Sequence, residues 1–209
     1  MGAPREGIGS RGRATAIDKR PTGRIEVRDP GPKRGGLGSG VVGDDVCSRR
    51  HHGGTRQAVY AVAREELDHW SRELGRTLTD GTFGENVTTE GLDVDGARVG
   101  ERWRVGEVIL EVTRPRIPCA NFAAWMGEKG WVKRFVGHGR PGAYLAVVSP
   151  GRLEPGQLVE VESRPDHDVT VADVLGAWFG DTELARRVLA AGVLDEAEHA
   201  GMERMISRP

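Results

Sequence analysis

Phe83-Gly84-Glu85-Asn86-Val87-Thr88-Thr89-Glu90-Gly91-Leu92 opens the stretch that decides the fold, and Thr113-Arg114-Pro115-Arg116-Ile117-Pro118-Cys119-Ala120-Asn121-Phe122 closes it. Between them, residues 98–105 and 107–113 alternate apolar and polar side chains on either side of Gly106. A period of two marks a strand with one buried face, and a glycine between two such runs predicts a β-hairpin. At the far end of the hairpin a single thiol, Cys119, follows two arginines and two prolines. Pro115 and Pro118 fix φ and bias the residues before them toward extended backbone, so this segment is a stiff exit from a strand. A thiol reacts, or binds metal, as the thiolate, and cations such as Arg114 and Arg116 favour that form. The plainer alternative is that Cys119 is a small buried hydrophobe, a common fate of free cysteine.

The whole chain sets limits on what this thiol can serve. Its 209 residues suit one domain with an appendage, and a chain of that size hides roughly 70% of its unfolded surface. With 30 Lys and Arg against 31 Asp and Glu, the net charge of −1 gives no reason to expect nucleic acid or a membrane surface as partner. No apolar run approaches the roughly 20 residues that span a bilayer. The N-terminal arginines precede no apolar segment of the secretory kind. Cys47 and Cys119 therefore read as reduced thiols of a cytoplasmic protein, with Cys47 expected to pack, the alternative being that it lines the same pocket.

Outward from the hairpin, residues 1–15 form a Gly- and Arg-rich tail read as disordered. Residues 16–165 form the body. Residues 24–28, 57–62, 142–148 and 156–162 read as strands, and residues 64–74 as a helix stopped by Gly75. Short helical turns are expected over 121–127 and 131–136. Residues 166–209 form a helical appendage. Thr170 and Asp173 have capping-box spacing ahead of 171–179, Asp181 opens a second helix stopped by Gly192, and a third runs over 195–206.

Three groups in the body invite a functional reading. Gly38-Ser39-Gly40-Val41-Val42-Gly43 spells the dinucleotide fingerprint, but no strand leads in and no helix follows, so it reads as loop. Arg49-Arg50-His51-His52-Gly53-Gly54 is either an anion-binding nest of backbone N–H groups or a polar turn. Lys133, Arg134, His138 and Arg140 form a basic cluster, either a solvated face or a second wall of an anion site.

The ordered set His52-Gly53-Gly54 with Gln57-Ala58-Val59, then Phe83-Gly84-Glu85-Asn86, then Pro115-Arg116-x-Pro118-Cys119, then Gly142-x-Tyr144, resembles the MOSC domain, named after the C-terminal domain of molybdenum-cofactor sulfurase. Its stand-alone, YiiM-like bacterial members are the most similar. The resemblance covers residues 16–165, with Thr55-Arg56 where the family commonly has Asp after the glycine pair. It implies a mostly β, barrel-like fold with a small C-terminal helical subdomain, and a site for the molybdenum cofactor. Cys119 matches the residue the family is thought to use for molybdenum or sulfur, and thiolate is a soft donor suited to such a centre. Lys19, Arg20, His52, Gly53, Gly54, Asn86 and Arg116 match the positions for the anionic cofactor. The implied activity is reduction of N-hydroxylated small molecules, with Cys119, Arg116 and Asn86 at the chemistry and electrons from a separate reductase. A sulfur carrier using a Cys119 persulfide and a non-catalytic cofactor-binding module are the alternatives. No pyridoxal phosphate is expected, and a homodimer is compatible with the amphipathic tail.

Overall fold

The computed structural model describes residues 15–47 and 52–207. Of the disordered tail expected over residues 1–15, residues 1–14 lie outside the described residues, as do Arg49, Arg50 and His51, while Thr15 is buried.

The hairpin is present as β4 (Arg102–Val105) and β5 (Val108–Pro115), with Val105 facing Val108 across Gly106 at φ 59°. Trp103 and Val105, then Val108, Leu110 and Val112, are the alternate residues that turn inward and are buried. They lie in a six-stranded sheet of order β3-β2-β6-β5-β4-β8, where β2 is Val59–Ala63, β3 Val87–Thr89, β6 Ala143–Ser149 and β8 Glu160–Ser163. Only the β2–β3 pairing is parallel. The sheet curls into a half-barrel, giving a mixed α/β fold. A separate two-stranded ribbon pairs β1 (Ile25–Val27) with β7 (Gly151–Leu153). Every residue of β2 is buried, as suits an interior strand covered on both faces.

One apolar cluster lies on one side of the sheet, with Trp103, Leu110, Val112, Leu145 and Val147 among its members. A second lies on the other side, where α1 (Arg64–Leu74), α2 (Ala120–Met126) and α3 (Trp131–His138) pack. It is aromatic: Trp70, Phe83, Phe122, Trp131 and Phe135 meet mostly edge-to-face, the geometry ring quadrupoles favour. This cluster anchors both ends of the decisive stretch, since Phe83 and Phe122 touch at 5.3 Å between ring centres.

The tail is helical as read: α4 (Val171–Trp178) opens with the Thr170/Asp173 capping box, and α5 (Thr182–Ala191) is capped by Asp181 and closed by left-handed Gly192. In α6 (Glu196–Ile206) Asp195 and Glu198 form a further capping box. Their apolar faces bury Val174, Ala177, Ala185, Val188 and Met202 together with Val99 and Val169. Two readings of the body need correction. Residues 156–159 are not strand; pairing with β4 begins only at Glu160, and the preceding segment is a turn and loop. β3 and β7 were not expected, because three residues are too few to show alternation.

Candidate functional site

A cleft of about 100 Å³ collects six of the eight residues singled out above: Lys19, His52, Gly53, Asn86, Arg116 and Cys119. They come from four connections of the fold, with His52 and Gly53 sharing one loop and Arg116 and Cys119 sharing the link from β5 to α2. Cys119 stands in extended conformation immediately before α2, at the end of the stiff proline segment, and is partly exposed. Arg116 follows the last residue of β5, and its backbone N–H reaches the carbonyl of Gly142. Asn86 leads into β3.

Arg116 is 6% exposed. Its Nη1 donates to the Phe83 carbonyl at 2.7 Å, and the guanidinium lies 4.1 Å from the Phe122 ring centre and 5.0 Å from that of Tyr60. Its Nε is buried with no hydrogen-bond partner, and no carboxylate pairs with it among the described residues. An arginine keeps its charge when buried, so stacking between two aromatic faces supplies part of the missing stabilisation.

Lys19 is tied to Asn86 by Asp44, a residue the sequence reading passed over. One oxygen of Asp44 accepts from Lys19 Nζ at 2.5 Å, Ser39 Oγ at 2.9 Å and Asn86 Nδ2 at 3.0 Å. Asn86 is fixed a second time by Tyr60, whose N–H donates to Asn86 Oδ1 at 3.1 Å and whose carbonyl accepts from Asn86 N at 2.7 Å. Burial pulls the Lys19 pKa below the ordinary lysine value, against the pull of Asp44. Tyr60 and Tyr144 line the same wall with ring centres 5.0 Å apart. Burial raises the pKa of both, holding them as neutral phenols.

Gly53 and Gly54 are glycine because other backbone presses on them. A Cβ on Gly53 (φ 85°) would sit 2.6 Å from the Gly38 carbonyl oxygen, and one on Gly54 (φ 84°) 2.8 Å from Lys33 N. Gly40 in turn donates to the Ala58 carbonyl at 2.8 Å, and its own Cβ would meet Ala58 at 2.6 Å. The segment that spells a dinucleotide fingerprint is thus the packing partner of the His-Gly-Gly loop. The Gly54 N–H is taken by the Gly38 carbonyl at 3.0 Å, so in a nest it offers nothing to an anion.

Several expectations are corrected. Gly54 does not line the cleft, and Arg20 pairs with Asp18 at 3.0 Å and faces a neighbouring cavity. Arg114 does not supply a free field to Cys119, because its guanidinium pairs with Glu198 at the start of α6. Of the basic cluster only Lys133 is an exposed, solvated side chain, and none of the four lines this cleft. His138 and Arg140 both pair with the buried Glu66, Arg140 also reaches Asp93, and Arg134 lies over the Trp70 ring. Cys47 does not pack: it is exposed and lines the same cleft as Cys119. Burial, and then Asp45, raise its pKa and favour the thiol. Gln57 and Tyr144 were visible only as parts of quoted motifs, while Asp44 carried no signal at all.

Comparison with known proteins places this geometry. A family model described as the MOSC domain matches residues 48–160. The uncharacterized protein YflK of Bacillus subtilis is 30% identical over 169 residues, which is 79% of this chain and 76% of that protein. The chain belongs to the MOSC domain family. A protein named Reductase from Gibberella moniliformis is 30% identical over 131 residues, 61% of this chain but 23% of that longer protein. The crystal structure of YiiM from Geobacillus stearothermophilus superposes with a TM-score of 0.75 at 23% identity, covering 99% of this chain and 96% of that one, and so shares its fold.

The donor set can be tested against the cofactor that MOSC membership brings to mind. Among the described residues no group of three or more His, Cys, Asp or Glu is placed to hold a metal ion, so a bare ion finds no ligand set. A metal that arrives with its own sulfur ligands needs few further donors, and one soft thiolate suits it. Gln57 Oε1 is buried in the cleft wall without a partner, as is Arg116 Nε. One orphan acceptor and one orphan donor beside a thiol fit the polar edge of a pterin. No helix of the described residues is long and apolar enough to cross a membrane.

Proposed function

We propose that this MOSC protein is a molybdenum-cofactor-dependent oxidoreductase that reduces N-hydroxylated small molecules. The observation that carries the reading is the cleft itself: a partly exposed thiol shares it with Arg116 and Gln57, each of which has a buried polar atom without a partner. An orphaned buried polar group is costly in a folded chain, and two in one cleft are explained when a ligand completes them.

Cys119 supplies the thiolate ligand to molybdenum. Lys19 and His52 face the anionic phosphate, Arg116 and Gln57 pair with the pterin edge, and Tyr60 and Tyr144 close the apolar wall against water. Asp44 and Asn86 act through others: they hold Lys19 and the Tyr60 strand in place. When bound, the cofactor supplies the two-electron redox centre, and the protein supplies position and electrostatics. The reaction converts R₂N–OH, two electrons and two protons to R₂NH and water, with electrons from a separate reductase. The relative named Reductase is in keeping with this class. We place the protein in the cytoplasm, with no role for pyridoxal phosphate, nucleic acid or membrane.

The test uses protein purified from a host that makes the cofactor, an N-hydroxylated purine base and a chemically reduced viologen as donor. Wild-type protein turns over, and Cys119→Ala loses at least about 100-fold, the scale expected when a group essential to the chemistry is removed. Equal turnover in the two overturns the reading.

A second reading, sulfur transfer, rests on Cys47. Two thiols line one cleft, and a persulfide formed on Cys119 by a sulfane-sulfur donor gives its outer sulfur to a nucleophilic acceptor and returns to the thiol. Cyanide-labile sulfur on the wild type but not on Cys119→Ala, without turnover, favours it.

A further inference from the structure

Beside Trp103, Leu110 and Leu145 of the sheet lies a second and larger cavity, about 660 Å³, that the cleft chemistry does not use. This is within the range of small-molecule sites, roughly 300–1,000 Å³. It lies beside the thiol cleft and shares Lys19 and Asn86 with it. Five aliphatic side chains that the core leaves half-buried or exposed line it: Ile25, Val87, Leu92, Leu158 and Val159. Leu158 is 80% exposed at its mouth. It sits on the loop that the alternating pattern marked as strand, a loop held in the open rather than paired to the sheet.

Two observations define what would fill this space. Thr89, on β3, lines the cavity at 7% exposure, and its Oγ1 has no hydrogen-bond partner. A buried hydroxyl left unpaired is destabilising unless something in the cavity pairs it. The charges around the cavity are largely engaged: Arg20 with Asp18 at 3.0 Å, Asp80 with Arg64 at 2.6 Å, and Lys19 with Asp44. Glu85 is held by the Gly81 and Phe83 N–H groups, and at the rim Arg24 stands against Glu90 and Glu154, so the lining has no cationic excess to hold an anion.

We propose that this cavity is a binding site for an uncharged small molecule with an apolar body and one hydrogen-bonding group. The body rests on Ile25, Val87, Leu92 and Val159, and the polar group meets Thr89 Oγ1. Leu158 closes over it and is covered on binding. The inference stands apart from the cofactor reading, since neither thiol lines this cavity.

The test is fluorescence titration with N-phenyl-1-naphthylamine, a neutral aromatic amine that brightens in apolar surroundings and carries one N–H donor. Wild-type protein binds it saturably, one per chain. Val159→Trp fills the cavity and weakens binding by at least about tenfold, because the ring takes the volume in which the probe would bury its apolar surface. Thr89→Val removes only the hydroxyl and weakens binding by about fivefold, the worth of one neutral hydrogen bond. Leu158→Ser, at an exposed position that cannot upset the core, weakens it as well. Cys119→Ala binds as the wild type does. Circular dichroism melting confirms that each variant is folded. Absence of saturable binding, equal affinity in Val159→Trp and Leu158→Ser, or loss of binding in Cys119→Ala would each overturn the proposal.

Discussion

Around Glu66, cations and acids answer one another: His138 and Arg140 both reach its buried carboxylate, and Arg140 continues to Asp93 and Asp95. Around Cys119 the pattern breaks. Lys19 has Asp44, but Arg116 has no carboxylate among the described residues, and Gln57 Oε1 and Arg116 Nε have no partner. Arg114 and Arg116, two residues apart, show the contrast within one strand end, the first paired to Glu198 and the second stacked on rings. Paired buried charge marks where the fold holds itself together. Unpaired buried polar atoms occur in both regions, Asp95 Oδ2 and Arg114 Nε as well as Gln57 Oε1 and Arg116 Nε, but only Gln57 and Arg116 line the cleft, where a ligand can complete them.

Asp44 offers the largest effect with which to break this contrast. Asp44→Ala removes the partner of a buried lysine and two further hydrogen bonds at once. Breaking a buried pair from one side costs about 3–5 kcal/mol, and urea unfolding reads the loss. A change below about 1 kcal/mol would show that the cleft is not braced through this carboxylate.

Asp95 gives a pH signature for the paired region. Burial pushes its pKa up to about 6, against the pull of the Gly142 N–H and Arg140. The unfolded carboxyl titrates at the ordinary value of about 3.9, so the folded state binds more protons between those limits. Stability from this group is fully present below about pH 4 and is lost as pH rises through about 6, by up to about 3 kcal/mol for two pK units. Melting temperature followed across that window should fall with rising pH in the wild type and lose this component in Asp95→Asn.

Glu66→Gln comes third. The shape is kept, but the charge facing His138 and Arg140 is gone. His138 and Arg140 both retain some contact with water, so the expected loss is about 1–2 kcal/mol, less than for a wholly buried pair. Because the cluster does not line the thiol cleft, cofactor retention should be unchanged; a parallel loss would mean that the two regions are coupled.

The hairpin and the tail were legible because their signals are local: alternation about Gly106, and caps at Thr170 and Asp181 followed by glycine stops. The cleft was legible through motifs, and it gathers Lys19, His52, Gly53, Asn86, Arg116 and Cys119 from across the chain. What escaped was set by tertiary contact. Asp44 matters only because folding brings it to Lys19 and Asn86, and Arg114 is neutralised by Glu198, 84 residues further along the chain. The loop at 156–159 alternates like a strand, yet the register of β4 with β8 leaves it unpaired. Cys47 shows the limit of a residue type's habit: burial is common for free cysteine, but this one faces the cleft.

Metal analysis speaks to the centre of this account most directly. Protein is purified from a cofactor-producing host, and molybdenum per chain is measured for the wild type, Cys119→Ala and Arg116→Met. Near one molybdenum in the wild type, with loss in both variants while the fold melts normally, is the result predicted. Molybdenum equal in all three, or present in none while cyanide-labile sulfur is also lacking, would contradict the assignment of the unpaired cleft to a sulfur-rich cofactor.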